Sequence, residues 1–167
     1  MSTKKYKKIF FYLIITLIIF LTDRLTKIYI LDLAGKNQLV DVYITNFLNI
    51  YLIWNKGVSF GLLSTESEFF YNSINFLIIS INIFIFIMIL RAEDYKKFFL
   101  LLILGGSLGN LFDRLYYQAV PDFIDFHINN FHWFVFNVAD IFISIGIICL
   151  ILDEIFFNKQ LKNNEKN

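Results

Sequence analysis

The chain has 167 residues, a net charge of +1 and 57% hydrophobic residues, with a mean hydropathy of +0.62. That is too apolar for an ordinary soluble domain, and so small a charge gives no field for binding nucleic acid. The single cysteine, Cys149, excludes an internal disulfide framework; it lies in an apolar run, which suits a buried, inert thiol.

Lys4, Lys5, Lys7 and Lys8 precede a long apolar run, as the basic and apolar regions of a signal peptide do. The run passes into Leu21-Thr22-Asp23-Arg24 with no small-residue cleavage site, so a retained first span over 9–31 is expected. Segments 69–90, 98–115 and 134–157 have the length and apolarity of further spans, the third being short if cut at Asp113. None alternates with the period of a membrane barrel, so helices are the expected way to satisfy the backbone in lipid. The expected fold is one mainly α membrane domain over 1–167 with four transmembrane helices.

Lysines and arginines near the span ends set the predicted orientation. The N-terminal lysines, the connection 91–97 and the tail with Lys159, Lys162 and Lys166 share one side, predicted cytoplasmic. Residues 32–68 and 113–133 then face outward, although Arg24, Lys27, Lys56 and Arg114 put basic groups on that side too. Segment 39–63 differs from the spans: Val40, Val42 and Ile44, then Phe47, Ile50, Leu52 and Trp54, alternate imperfectly and are β-branched or aromatic. A small extracytoplasmic β-sheet is expected there, with Asn55-Lys56-Gly57 as the turn between two short strands.

Polar residues are costly at membrane depth and usually face a cavity or a partner. Four clusters stand at the predicted outer ends of spans: Asp23 to Lys27, Asn110 with Asp113 and Arg114, Asp122 with Asp125, and Asn137 with Asp140. Asp140, six positions into the predicted fourth span, is expected about 9 Å below its start. Any one cluster could be a helix cap or an internal pair; Asp23 and Lys27, four apart, suit a plain ion pair. Four clusters at one level suggest a shared polar pocket. Gly105 and Gly109 form a GxxxG face that lets the third helix pack closely and brings Asn110, Asp113 and Arg114 towards a neighbour.

The chemistry open to these residues is narrow. No Ser/His/Asp set is persuasive, and Cys149 is predicted deep in a span. His127 and His132 flank a predicted loop and could join Asp122 and Asp125 around a metal, but the spacing matches no strong ligand motif, and solvent-facing histidines are the commoner case. Paired aspartates remain. Two carboxylates in one site hold a proton between them. The charged member then deprotonates water while the neutral one protonates a peptide carbonyl.

Five stretches resemble the lipoprotein signal peptidase (signal peptidase II) family of bacterial aspartic membrane proteases. Asp23-Arg24-Leu25-Thr26-Lys27 is similar to its D-x-x-[ST]-K, and Asn55-Lys56-Gly57-Val58-Ser59-Phe60-Gly61 to its N-x-G-x-[AS]-F. The run from Gly105 to Arg114 resembles G-G-x-x-G-N-x-x-D-R; Val120-Pro121-Asp122-Phe123-Ile124-Asp125-Phe126 resembles V-x-D-F-x-D-F; and Phe136-Asn137-Val138-Ala139-Asp140 resembles F-N-x-A-D. The resemblance implies that Asp122 and Asp140 are catalytic, and that Asp23, Lys27, Asn55, Asn110, Asp113, Arg114 and Asn137 bind substrate or support the pair. It implies cleavage before a diacylglyceryl-modified cysteine in prolipoproteins at the cytoplasmic membrane, among membrane lipids, with no metal or organic cofactor and with inhibition by globomycin-like depsipeptides. Two positions depart from the pattern: Pro121 where an aliphatic residue is common, and Ile141 where serine is frequent. Two rival readings use the same residues: a small transporter or proton-coupled channel, and a non-catalytic membrane scaffold that would tolerate loss of both aspartates.

Overall fold

The computed structural model describes residues 3–37, 40–57, 68–92, 94–128 and 131–164. In chain order these form α1 (Thr3–Asn37), β1 (Asp41–Thr45), β2 (Leu48–Asn55), α2 (Glu68–Arg91), α3 (Asp94–Tyr117), β3 (Val120–Ile128), β4 (Phe131–Phe136) and α4 (Val138–Asn164).

Among the described residues, three helical stretches, Lys7–Lys36, Glu68–Arg91 and Tyr95–Tyr117, are long and apolar enough to cross a membrane. Their apolar side chains are largely exposed on α1 and α2, as Phe10, Leu13, Leu17, Phe76, Phe84 and Leu90 illustrate. A soluble chain would bury that surface; in lipid it needs no cover. α3 is the exception, because it packs against α1, α2 and α4. Its residues Leu100, Leu101, Ile103 and Leu104 form the apolar core with Ile85 and Ile89 of α2.

Small residues make that packing close. A Cβ on Gly105 would lie 2.9 Å from the Ile19 side chain on α1, and one on Gly109 would lie 2.5 Å from Asp23 Oδ2. On the opposite side, a Cβ on Gly106 would meet the Ala139 carbonyl oxygen of α4 at 2.5 Å. Glycines on α3 thus serve two neighbours, where the GxxxG pattern alone accounts for one.

β1 to β4 form one antiparallel sheet in sequence order. Three expectations are corrected here. The turn between the first two strands falls at Asn46-Phe47, not at Asn55–Gly57, and β2 continues through Asn55. The Asn55 side chain accepts a hydrogen bond from the Gly57 backbone at 2.9 Å, so the turn signal is real but marks the end of a strand. Residues 113–133, expected as an outer connection, contain β3 and most of the β3–β4 hairpin. The fourth apolar run is not helical from 134: Phe134, Val135 and Phe136 pair with Phe126, Asp125 and Ile124, and α4 starts at Val138. Strand pairing and the Asn137 cap outweigh the continuity of the apolar run.

Candidate active site

Asn137 precedes α4 and caps it. Its Oδ1 accepts from the Asp140 N–H at 3.2 Å, and its own N–H donates to Asp140 Oδ2 at 3.1 Å. This reciprocal pair satisfies two of the groups that a helix start leaves open. Asp140 is therefore in the first turn of α4, shallower along the helix than the sequence suggests. The Asn137 side chain also reaches the sheet, where its Nδ2 donates to Asp122 Oδ1 at 2.6 Å.

Asp122 stands on β3, fully buried. Its other oxygen accepts from Asn55 Nδ2 on β2 at 2.9 Å. Asp140 Oδ1 accepts from Asn110 Nδ2 on α3 at 2.8 Å. Each carboxyl group is thus held by two donors, and Asn137 is common to both. Pro121, beside Asp122, is tolerated because β4 joins the sheet only from Ile124, so β3 has a single partner strand at Pro121.

One cavity of about 100 Å3 is lined by Asn55, Asn110, Arg114, Asp122, Asn137 and Asp140, with Ile78, Ser107, Val120 and Ile143. It has room for water. Burial, and then the negative charge of Asp140, push the Asp122 carboxyl up to about 7, against the hydrogen bonds from Asn137 and Asn55 and the attraction of Lys27. Near neutral pH this carboxyl is poised to hold a proton.

Behind the cavity lies a buried charge cluster that closes the seam between α1 and α3. Lys27 Nζ donates to Asp23 Oδ2 at 2.8 Å, Asn110 Oδ1 at 2.8 Å and Asp113 Oδ2 at 2.7 Å. Arg24 pairs with Asp113 Oδ1 at 2.5 Å and lies over the Phe112 ring. Asp23 Oδ1 accepts from the Ala139 N–H at 3.0 Å, tying the cluster to the start of α4. The i,i+4 pair expected between Asp23 and Lys27 exists, but it is one part of a wider network. Lys27 uses all three ammonium protons, one of them on the same Asn110 that donates to Asp140.

Arg114 is buried at the end of α3, donates through Nη2 to the Gly57 carbonyl, and has no partner for Nη1 among the described residues. Its own carbonyl accepts from Tyr71 of α2 at 2.7 Å. The structure therefore brings Asn55, Asn110, Arg114, Asp122, Asn137 and Asp140 to one cavity, and places Asp23, Lys27 and Asp113 in the network behind it. Val58 to Gly61 of the expected motif lie outside the described residues. Sequence reasoning passed over Arg24 as a partner of Asp113, Tyr71, and Ser107, which lines the cavity and accepts from Asn82 of α2 at 2.9 Å. Arg24 was visible as a charge beside Asp23; Tyr71 and Ser107 carried no signal of their own.

Two buried carboxyl groups face one cavity with room for water, in a frame of apolar helices, an arrangement that suits an aspartic-type membrane hydrolase. The family model for signal peptidase II matches residues 15–156. The lipoprotein signal peptidase of Pelagibacter ubique is 55% identical over 161 residues, covering 96% of each chain. That of Burkholderia thailandensis is 40% identical over 144 residues, covering 84% of this chain and 85% of its own. A bacterial membrane enzyme structure determined by the in meso method at 2.3 Å superimposes with a TM-score of 0.67 and 26% identity, covering 93% of this chain and 90% of that one. A second, at 1.9 Å, gives 0.63 and 29%, with 84% and 90% covered. The chain belongs to the signal peptidase II family: it is a multi-pass bacterial membrane protease that removes signal peptides from prolipoproteins.

Proposed function

We propose that Asp122 and Asp140 are the catalytic pair and that the scissile bond is the one before a diacylglyceryl-modified cysteine. The observation that carries this reading is the cavity that both carboxyls line, with Asn137 bonded to each. Asp122 is the neutral member, because burial and the neighbouring charge favour its protonated form near pH 7. Asp140, held by Asn110 and the Asn137 N–H, is the member that takes the proton from water, the pair sharing one proton between them.

A water between them gives a proton to Asp140 as its oxygen attacks the peptide carbonyl, whose oxygen takes the proton of Asp122. In the collapse of the tetrahedral intermediate, Asp140 protonates the leaving amine, the C–N bond breaks, and a hydroxyl proton of the intermediate returns to Asp122. No acyl-enzyme forms, and no step needs a metal. Arg114 Nη1, unpartnered among the described residues and beside the cavity, is a donor for a substrate carbonyl or a lipid ester oxygen. An apolar groove of about 260 Å3, lined by Phe134, Phe136, Ile141, Ile145 and Ile148, runs from Asp140 along α4 and suits an acyl chain. Asn110, Asn55 and Asn137 orient the pair; Asp23, Lys27 and Asp113 hold Asn110 and the start of α4 in place.

In this reading the chain is one domain and α4 is a fourth span. The termini are cytoplasmic, as the lysine bias suggests, and the sheet and cavity lie near the extracytoplasmic face. Globomycin-like depsipeptides would inhibit by occupying the cavity. The test is cleavage of a lipidated prolipoprotein by the wild type beside Asp140→Asn. A loss on the order of 1,000-fold or more is expected, and normal processing by the variant would overturn the assignment.

A further inference from the structure

A second cluster of titratable groups lies outside the cavity. Asp125, His127 and His132 each offer a ligand atom, and these atoms lie within 4.8 Å of one another. Their convergence follows from the strands. Asp125 and His127 are two apart on β3 and so share a face. The β3–β4 ladder slips by one residue between Phe126 and His127. An unslipped ladder would set residue 133 opposite His127; the slip puts His132 there instead, a re-aiming typical of a β-bulge.

The three side chains differ in how well they are satisfied. His132 Nδ1 donates to both Asp125 oxygens, at 2.8 and 3.0 Å. The His132 side chain is 55% exposed, so the cluster is open to solvent on one side. The His127 side chain is only 8% exposed, and its Nδ1 lies 3.7 Å from Asp125 Oδ2, beyond hydrogen-bond range. That nitrogen has no hydrogen-bond partner among the described residues. An orphaned buried nitrogen is costly, and this one faces a carboxylate and a second imidazole, whose ring stacks on its own at 5.0 Å.

We propose that Asp125, His127 and His132 form a binding site for a divalent transition-metal ion of the zinc class. Two imidazoles and a carboxylate are borderline donors, which favour zinc over magnesium or calcium. Ligand atoms around tetrahedral zinc stand about 3.3 Å apart, given bonds of about 2.0–2.1 Å; the two separations from Asp125, 2.8 and 3.7 Å, bracket that distance, and the three atoms all lie within 4.8 Å, so binding draws the two histidines inward. The ion takes the place of the His132 Nδ1 proton, the ring staying neutral through its Nε2 hydrogen. It also gives the orphaned His127 nitrogen a partner. Water completes the fourth position on the exposed side.

The site is separate from the hydrolytic chemistry. Asp122 and Asp125 are three apart on a regular strand and project from opposite faces of the sheet; Val120 and Asp122 line the cavity, and Asp125 does not. The ion's effect is to fasten β3 to β4 near the hairpin end.

The test is a zinc titration of the tag-free full chain in detergent, after chelator treatment and dialysis, followed by calorimetry and by thermal unfolding. One zinc per chain and a raised Tm are expected, with cobalt giving the visible absorption of a four-coordinate ion. His132→Ala and His127→Ala should each weaken binding by on the order of 10–100-fold, and His132→Ala should still cleave prolipoprotein, which shows it folded. Absence of saturable binding, or binding undiminished in His132→Ala, would overturn the proposal and leave the His132–Asp125 contact as a hydrogen bond only.

Discussion

Replacing Asp122 by asparagine removes a charge and keeps the shape, so stability and catalysis should move in different directions. The wild-type carboxyl is raised from 3.8 to about 7. Between those values the unfolded chain has released this proton while the folded chain keeps it. The folded state then binds more protons, and stability falls as pH rises. The full effect is on the order of 4 kcal/mol, complete above about pH 7. Asparagine cannot ionise, so its contribution is flat with pH. It brings one cost: Asn137 and Asn55 both donate to this side chain, and an amide accepts on one atom only, a loss of about 1 kcal/mol. Asp122→Asn is therefore expected to be slightly less stable than wild type at pH 4 and more stable at pH 8. It should not cleave at either pH. Thermal unfolding in detergent from pH 4 to 8, beside a lipopeptide cleavage assay, measures both. A variant with the wild-type dependence of Tm on pH would refute the reasoning about burial, and a variant that still cleaves would refute the role of Asp122 as acid.

Lys27→Met leaves Asp23 and Asp113 buried with Arg24 as the remaining cation, and a loss of about 3–5 kcal/mol of stability is expected, read as a lower Tm and a lower yield of folded protein. Gly106→Ala forces a methyl group against the Ala139 carbonyl, one residue from Asp140. It should cut kcat on the order of 10–100-fold, whereas Gly35→Ala, with nothing within 4 Å of the new carbon, should match wild type. EDTA should leave cleavage intact, because Asn55, Asn110 and Asn137 hold the two acids; activity lost in EDTA and restored by zinc would move the chemistry to the histidines.

Helices were legible where the apolar runs are long, because only internal hydrogen bonding satisfies a backbone in lipid. The acids were legible because charge at that depth demands a partner. The β3–β4 hairpin was not, since Phe131 to Phe136 is as apolar as the helix it leads into and periodicity cannot divide the two. Only pairing with Ile124 to Ile128 does so, and that is a long-range fact. His127 and His132 were expected to flank a loop, with solvent-facing side chains the commoner case; strand pairing instead sets them opposite each other, with His127 buried. Asn110 was marked as polar and near the site, but no local pattern says that it accepts from Lys27 and donates to Asp140 at once.

The residue that begins α4 has a consequence for what can replace it. Serine, threonine and aspartate start helices about as well as asparagine does, since each offers an oxygen to the first turn. Asn137 also hands an N–H to an acid on a distant strand. Aspartate has no N–H to give, and the short hydroxyls lack the second arm needed to accept at one end while donating at the other. The amide is thus a two-ended coupling: a swap that spares the helix would still set the two acids adrift from each other.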